Sequence, residues 1–266
     1  MTGACFVKPV STGGERVLAV TSVADQLLVL VNRDFELQVA VYRVQEERYQ
    51  LLRHISLRGL TPELVTDMTS CPRHRRLYLS DSNNQLVHVY DLEGTEVGRW
   101  PVRGVPRSLS VTLAANLLVT CWGLTNSLAE LSSDGGRCVR EIVLPPEVEY
   151  PRHGVQLSDA QFVVCVAFHG LYQVWVVGSD GKPTHRFGGK LHGCDVKRCP
   201  YQLAVDSDAR SIFVADTETR RVDVLTLQCV HRLSDKPSTP CRIHFDRRTQ
   251  RLFLAERDSD LKAIQL

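Results

Sequence analysis

The sequence predicts an all-β fold, a six-bladed β-propeller whose blades are four-stranded antiparallel sheets. Three observations lead to this prediction. Apolar residues recur with a period of two along nearly the whole chain, and no helical periodicity competes with it. One strand-like apolar run occurs six times at intervals of about 40–50 residues, which is the period of a propeller blade. A proline followed by a second strand-like run precedes five of the six.

The recurring run is predicted to be the second strand of each blade. Its six copies are QLLVLVN from 26, RLYLSDS from 76, NLLVTCW from 116, QFVVCVA from 161, SIFVADT from 211 and RLFLAER from 251. The first strands follow Pro62, Pro106, Pro151, Pro200 and Pro240. A third run comes after each second strand, and turn sequences such as DLEG (91–94) and SDGG (133–136) then lead into the fourth strand.

The two ends of the chain are predicted to share one blade. The last unit, about residues 240–266, contains only three strands, while a strand at about residues 4–10 precedes the first full unit. We expect this N-terminal strand to complete the last blade and close the ring, because an open ring would expose sheet edges between the first and last blades. Residues 1–266 are thus predicted to form a single propeller domain that is monomeric in isolation.

Composition indicates the cellular compartment and the classes of partner to expect. No apolar stretch reaches 18 residues, so no membrane partner is expected, and the N-terminus lacks the basic start and apolar core of a signal peptide. Nine irregularly spaced cysteines, several inside apolar runs, favour reduced thiols in a cytoplasmic protein. The net charge of +2 neither demands nor excludes a nucleic-acid partner, so the arrangement of the charges matters more.

Three segments resemble NHL repeats. PYQLAVDSDARSIFVADTETRRVDVL (200–225) and RHRRLYLSDSNNQLVHVYDLEGTEV (73–97) carry an apolar strand that ends in Asp before a polar turn, and CRIHFDRRTQRLFLAERDSDLKAI (241–264) is a weaker match. The chain is most similar to the C-terminal propellers of TRIM-NHL proteins. The resemblance implies a binding propeller that takes RNA stem-loops or single strands in some members and protein partners in others. It also implies that any ubiquitin-ligase activity of such proteins lies outside these residues, which contain no CxxC array.

One face of the predicted propeller carries the candidate binding residues. The loops that lead into the first strands contain ten Arg and Lys against six Asp and Glu, with His153, His192, Tyr150 and Tyr201 among them. The turns between second and third strands add Phe35, Trp122, Phe168 and His169. Cations interleaved with aromatic rings suit phosphate contacts and base stacking. The candidate site residues for RNA or a protein partner are Arg103, Arg107, Arg152, His153, Lys197, Arg198, Tyr201, Arg242, Trp122 and Phe168.

Several of these residues also have a purely structural interpretation. Leu64, Ser108, His153, Gln202 and Arg242, with Arg16 in the first unit, are expected to line the rim of the central channel, where they either grip an anion or bond to neighbouring blades. Asp81, Asp216, Asp206 and Asp246 are expected to accept backbone N–H bonds in the turns that follow them. Any single loop cation is more often only a solvated charge.

No catalytic constellation emerges from the sequence. The expected rim supplies one histidine and no carboxylate, so a metal hydrolase or lyase site would lack ligands. His192, Cys194 and Cys199 lie in one loop and do not match a zinc-knuckle spacing. We therefore expect no enzyme activity, no metal and no cofactor. Two hypotheses stay open: an RNA-binding propeller, with salt-sensitive affinity, and a protein-binding propeller with an apolar pocket around Trp122 and Phe168.

Overall fold

The computed structural model describes residues 5–13, 15–46, 48–168, 171–190, 201–216, 221–226, 230–234, 240–256 and 261–266. Every regular element in these ranges is a β-strand. None of the described residues belongs to a helix with the length and apolarity needed to cross a membrane.

Twenty-four strands form six four-stranded antiparallel sheets, which confirms the predicted six-bladed propeller. Blades 1 to 3 consist of β2 (Arg16–Val23), β3 (Gln26–Arg33), β4 (Glu36–Gln45) and β5 (Arg48–Ser56); β6 (Val65–Cys71), β7 (Arg76–Asp81), β8 (Leu86–Asp91) and β9 (Glu96–Pro101); β10 (Val105–Val111), β11 (Leu117–Trp122), β12 (Ser127–Leu131) and β13 (Cys138–Val143). Blades 4 to 6 consist of β14 (Pro151–Ser158), β15 (Gln161–Phe168), β16 (Leu171–Gly178) and β17 (Pro183–Lys190); β18 (Tyr201–Asp206), β19 (Ser211–Asp216), β20 (Arg221–Leu225) and β21 (Val230–Ser234); β22 (Pro240–Asp246), β23 (Arg251–Glu256), β24 (Leu261–Gln265) and β1 (Cys5–Val10).

The first strand of each blade lies innermost, and these six strands surround the axis. They contact one another in the order β2, β6, β10, β14, β18 and β22, and β22 contacts β2 again. Strand β1 pairs antiparallel with β24, with Cys5 opposite Gln265 and Phe6 opposite Ile264. The first strand of the chain is therefore the outer strand of the sixth sheet. Closure of the ring by that strand stays a prediction.

The apolar core is divided into six clusters, one between each pair of adjacent blades. Strand β3 shows how the sequence produces this division. Its Leu28 and Leu30 pack towards blade 2, while Leu27 and Val29 point the other way into the cluster with blade 6. Because successive side chains of a strand point to opposite faces, a strand that is covered on both faces needs apolar residues at consecutive positions.

Turn carboxylates have the structural role that the sequence predicts. The Asp81 carboxylate accepts the backbone N–H groups of Asn83 and Asn84, at 3.1 and 2.9 Å. Asp206 and Asp246 accept equivalent backbone bonds two residues further on. The side chain of Asp216 lies outside the described part of the chain. Where the chain reverses, these backbone N–H groups have no partner in a neighbouring strand. The carboxylates accept them instead and so stabilise the turns.

Candidate functional site

The strand order places specific segments at one end of the propeller. The beginnings of the first strands, the ends of the second strands and the loops between blades share this end, which we call the upper face. The turns between first and second strands and between third and fourth strands lie at the opposite, lower face. The candidate residues that belong to the described ranges lie on segments of the upper face or on the inner strands just below it.

Three of the candidates come together between blades 3 and 4, with a fourth residue. The guanidinium of Arg107 lies over the ring of Trp122, 5.3 Å from its centroid. Trp122 stacks on Tyr150, with ring centroids 5.5 Å apart and planes 29° from parallel. Arg152 is close enough to Arg107 to lower its pKa, an effect that adds to the larger one of burial. We call Arg107, Trp122, Tyr150 and Arg152 the upper-face cluster.

Matching irregularities in two inner strands present the two arginines. The register of β10 against β11 shifts between Pro106 and Ser108, and that of β14 against β15 shifts between Pro151 and His153. The residue skipped at each bulge is an arginine, Arg107 in one blade and Arg152 in the next. A bulged residue leaves the regular alternation of the strand, so its side chain is re-aimed away from the ladder.

Backbone constraints hold the aromatic pair in place. Gly104 has a φ of +83°, and a Cβ at this position would lie 2.9 Å from the carbonyl oxygen of Trp122. Only glycine therefore lets the loop pass so close to the end of β11. Tyr150 also has a positive φ, +51°, immediately before Pro151. A non-glycine residue in this conformation is uncommon, and such residues concentrate at functional sites.

The cations of the upper-face cluster lack the carboxylates that would normally neutralise them. Neither Arg107 nor Arg152 forms an ion pair with any residue of the described ranges, and the same holds for Arg103, which is exposed in the loop before β10. The buried Nε of Arg152 has no hydrogen-bond acceptor among the described atoms. An unsatisfied buried donor costs free energy, so an anion that enters the cluster would relieve that cost.

The candidates His153 and Arg242 lie in the central channel, where they bond to neighbouring blades. Nδ1 of His153 accepts the backbone N–H of Leu203 at 3.1 Å. Arg242 donates from Nε to the carbonyl of Leu18 and from a terminal nitrogen to the carbonyl of Thr66 at 3.3 Å. Of the two roles expected for the rim residues, gripping an anion or bonding to neighbouring blades, these bonds represent the second.

Asp67, which sequence reasoning missed, lies at the centre of the channel. Its carboxylate accepts the backbone N–H of Leu109 at 3.0 Å and the side-chain amide of Gln202 at 3.3 Å. Gln202 comes from blade 5, directly opposite blade 2, and it also accepts the N–H of Ile243 at 2.8 Å. We call Asp67, His153, Gln202 and Arg242 the channel brace.

The expected set of rim residues is wrong in two blades. In blade 2 the position belongs to Asp67 and not to Leu64, because β6 begins only at Val65, beyond Pro62, whereas Pro106 and Pro151 lie within their strands. In blade 1 it belongs to Ala19, which pairs with Leu30 as His153 pairs with Cys165, and not to the exposed Arg16. Asp67 therefore gives the rim a carboxylate, contrary to the expectation that it has none. Counting two residues from the proline fails in blade 2 because Pro62 lies outside the strand that it precedes.

Burial changes the pKa values of the brace residues in opposite directions. It raises the pKa of the Asp67 carboxyl to about 6, although the nearby Arg242 opposes the change. It lowers the pKa of the His153 imidazole to about 4. The two groups approach within 3.9 Å, between Nε2 of the histidine and Oδ2 of the aspartate. His153 is therefore neutral at neutral pH and serves as a hydrogen-bond acceptor.

The structure describes the remaining candidates only in part or not at all. Lys197 and Arg198, like His192, Cys194 and Cys199, fall in the undescribed segment 191–200. Phe168 ends β15 and Tyr201 begins β18, but their side chains are not described. Within the described ranges, no group of three or more His, Cys, Asp or Glu side chains is arranged to hold a metal ion.

Comparison with known proteins supports the propeller fold but does not assign the chain to a family. No family model matches the sequence, and no curated protein matches it. Among solved structures, a chain of "Kuenenia stuttgartiensis Hydrazine Synthase" is similar over 97% of both chains, with a TM-score of 0.66 and 12% sequence identity. At this identity the similarity concerns the fold alone. The chain is thus a β-propeller, a scaffold that commonly serves for binding, and its resemblance to NHL repeats stays a prediction.

Proposed function

We propose that this propeller is a non-catalytic module that binds RNA through its upper-face cluster. The observation that carries the proposal is the pair of arginines Arg107 and Arg152, which have no carboxylate partner in the described ranges, together with the stacked rings of Trp122 and Tyr150. Guanidinium groups bind phosphate oxygens with charge-assisted hydrogen bonds, and aromatic rings offer stacking surfaces to unpaired bases. The resemblance to NHL repeats allows this ligand, since such propellers take RNA in some members and protein partners in others.

Charge in the neighbouring loops suggests how RNA would lie. Arg103 is exposed on the blade 3 side of the cluster, whereas Glu147 and Glu149 are exposed in the loop that precedes Tyr150. Phosphates are attracted to the first side and repelled by the second. We therefore propose a short single-stranded contact that enters over blade 3, with a base near Tyr150 and the adjacent phosphates between the two arginines.

The test is selection from a randomised RNA pool, followed by affinity measurements at two salt concentrations. Replacing Arg107→Gln and Arg152→Gln together should weaken binding of the selected RNA by about tenfold or more. It should also lower the slope of log K against log salt by about one to two units, because two phosphate contacts are lost. Arg99→Gln with Arg137→Gln is the matched control, since it removes the same charge from exposed positions away from the upper face.

The outcomes separate the proposal from general charge attraction. Binding that weakens equally in both double variants would mean that only net charge matters, and it would contradict a defined site. Failure of the pool to yield any enriched sequence would reject RNA as the ligand of this chain.

One observation favours a protein partner as the second candidate. Leu124, two residues after Trp122 in the same turn, is fully exposed. An exposed apolar side chain beside an aromatic platform is typical of an interface anchor. Binding of this kind would depend weakly on salt and would be reduced by Leu124→Asn, whereas that change should leave RNA binding within about twofold.

The proposal that the module is not an enzyme rests on the channel brace. In six-bladed propeller enzymes, reactive groups converge on the axis, and here the polar side chains Asp67, His153, Gln202 and Arg242 are bonded to backbone groups or to one another. Because these groups bond within the fold, we propose that they stabilise the ring and take no part in a reaction.

A further inference from the structure

The turn between β3 and β4 contains an aromatic residue in an unfavourable conformation. Arg33 pairs with Glu36, so only Asp34 and Phe35 form the loop. Both have positive φ, +50° and +66°, as in a type I′ turn. Asparagine, aspartate and glycine adopt this conformation readily, and glycine is preferred at the second position. A bulky side chain there is a conformational outlier.

Packing within the fold does not explain this phenylalanine. Its side chain is 84% exposed at the tip of the hairpin, on the upper face of blade 1. The residue thus combines a strained backbone with an aromatic ring in water. A single exposed aromatic ring is ordinary on a protein surface, but one held on a strained backbone indicates that the ring serves an external contact.

The charges around the ring indicate the chemistry of that contact. Asp34 and Glu36 flank Phe35, are exposed, and form no ion pair with any residue in the described ranges. The neighbouring Arg33 is already paired with Glu15 at 3.3 Å. An aromatic face between two carboxylates attracts a cation, through the ring quadrupole and through Coulomb attraction, and it repels phosphate.

We propose that the tip formed by Asp34, Phe35 and Glu36 is a second binding site, specific for an arginine or lysine side chain of a protein partner. The site is independent of the RNA-binding proposal. Blade 1 lies across the ring from blade 4, and the tip is acidic where the upper-face cluster is basic. A guanidinium or ammonium group stacks on the Phe35 ring, and the two carboxylates pair with it.

The experiment combines a stability measurement with a binding measurement on the intact chain. Phe35→Gly supplies the residue that the turn prefers, so Tm should rise by about 1–3 °C. A displayed library of short randomised peptides, selected on the wild-type protein, should enrich sequences with arginine or lysine. The selected peptides should bind the Phe35→Gly protein about tenfold more weakly and the Phe35→Tyr protein with nearly unchanged affinity.

Leu113→Ala is the matched control, because it removes another exposed apolar side chain, from the turn between β10 and β11 on the lower face. It should leave binding of the selected peptides within about twofold of the wild type. The proposal is overturned if Phe35→Gly lowers Tm, if no basic peptides are enriched, or if those peptides bind the Phe35→Gly protein as well as the wild type. A loss of RNA binding in Phe35→Gly would also overturn it, since the tip would then belong to the RNA site.

Discussion

Arg107 and Arg152 occupy equivalent positions in consecutive blades, and this repetition brings two cations to one place. Each follows a proline and is the skipped residue of a β-bulge. The Pro-Arg dipeptide is visible in the sequence, so both arginines could be predicted as members of one basic face. The contact of Arg107 with the Trp122–Tyr150 stack could not, because stacking depends on the path of the loop at Gly104.

Gly104 is the residue on which the geometry of the upper-face cluster depends. Gly104→Ala should destabilise the protein by about 2–3 kcal/mol, because the left-handed φ disfavours alanine and the new Cβ meets the Trp122 carbonyl oxygen. Gly59→Ala is a matched control: its φ is +82° and its Cβ would meet no atom within 4 Å. It should cost only about 1 kcal/mol, the conformational part alone. Urea unfolding of both variants measures the difference, and equal costs would contradict the close approach.

At the scale of strands and turns, the buried carboxylate of Asp81 holds the turn between β7 and β8 of blade 2. Asp81 accepts two backbone N–H groups and lies 3.2 Å from Nε2 of His88, whose Nδ1 is 2.8 Å from Glu96. The turn is thereby linked to the third and fourth strands of its blade. One side chain fixes the position of three segments.

Asp81→Ala should therefore destabilise the protein by about 2–4 kcal/mol, because it removes the acceptor of two turn N–H groups and leaves the buried His88 without this partner. Asp25→Ala, in an exposed turn of blade 1, should change the stability by less than about 0.5 kcal/mol. Thermal and urea unfolding of the two variants are the measurements. A similar small effect in both would mean that the Asp81 bonds are replaced by water at no cost.

The strands were predictable and their registers were not, for a physical reason. A second strand that is buried on both faces leaves an uninterrupted apolar run, and six such runs mark six blades. The bulges at Val65 to Met68, at Arg107 and at Arg152 leave no comparable mark. Counting from Pro62 placed Leu64 at a rim position that Asp67 occupies, because β6 begins only at Val65, beyond that proline.

At the scale of the whole molecule, the channel brace links stability to pH. His153 has a pKa lowered from 6.5 to about 4, so between these values the unfolded chain binds a proton that the folded protein excludes. This group stabilises the fold above pH 6.5, and its contribution falls as the pH drops towards 4. Asp67 has a pKa raised from 3.8 to about 6, so the folded protein binds the extra proton, and its contribution falls as the pH rises through the same range.

Two variants separate these opposing contributions. In His153→Gln the amide oxygen can accept the Leu203 N–H, as Gln202 accepts that of Ile243. Between pH 6.5 and 4 this variant should lose about 3 kcal/mol less stability than the wild type. Asp67→Asn should lose more than the wild type over the same range. Urea unfolding at several pH values is the measurement, and parallel pH profiles for all three proteins would contradict the assignment.

The bond between Gln202 of blade 5 and Asp67 of blade 2 has a mechanical consequence. It acts as a strut across the diameter of the ring, and Arg242 adds ties from blade 6 to blades 1 and 2. A ring with such a strut resists being pulled into an ellipse along this diameter, because blades 2 and 5 cannot move apart without stretching the bond that joins them. If a ligand binds between blades 3 and 4 as we propose, a pull on it would be shared with blades 2 and 5, which flank that site and are joined across the channel.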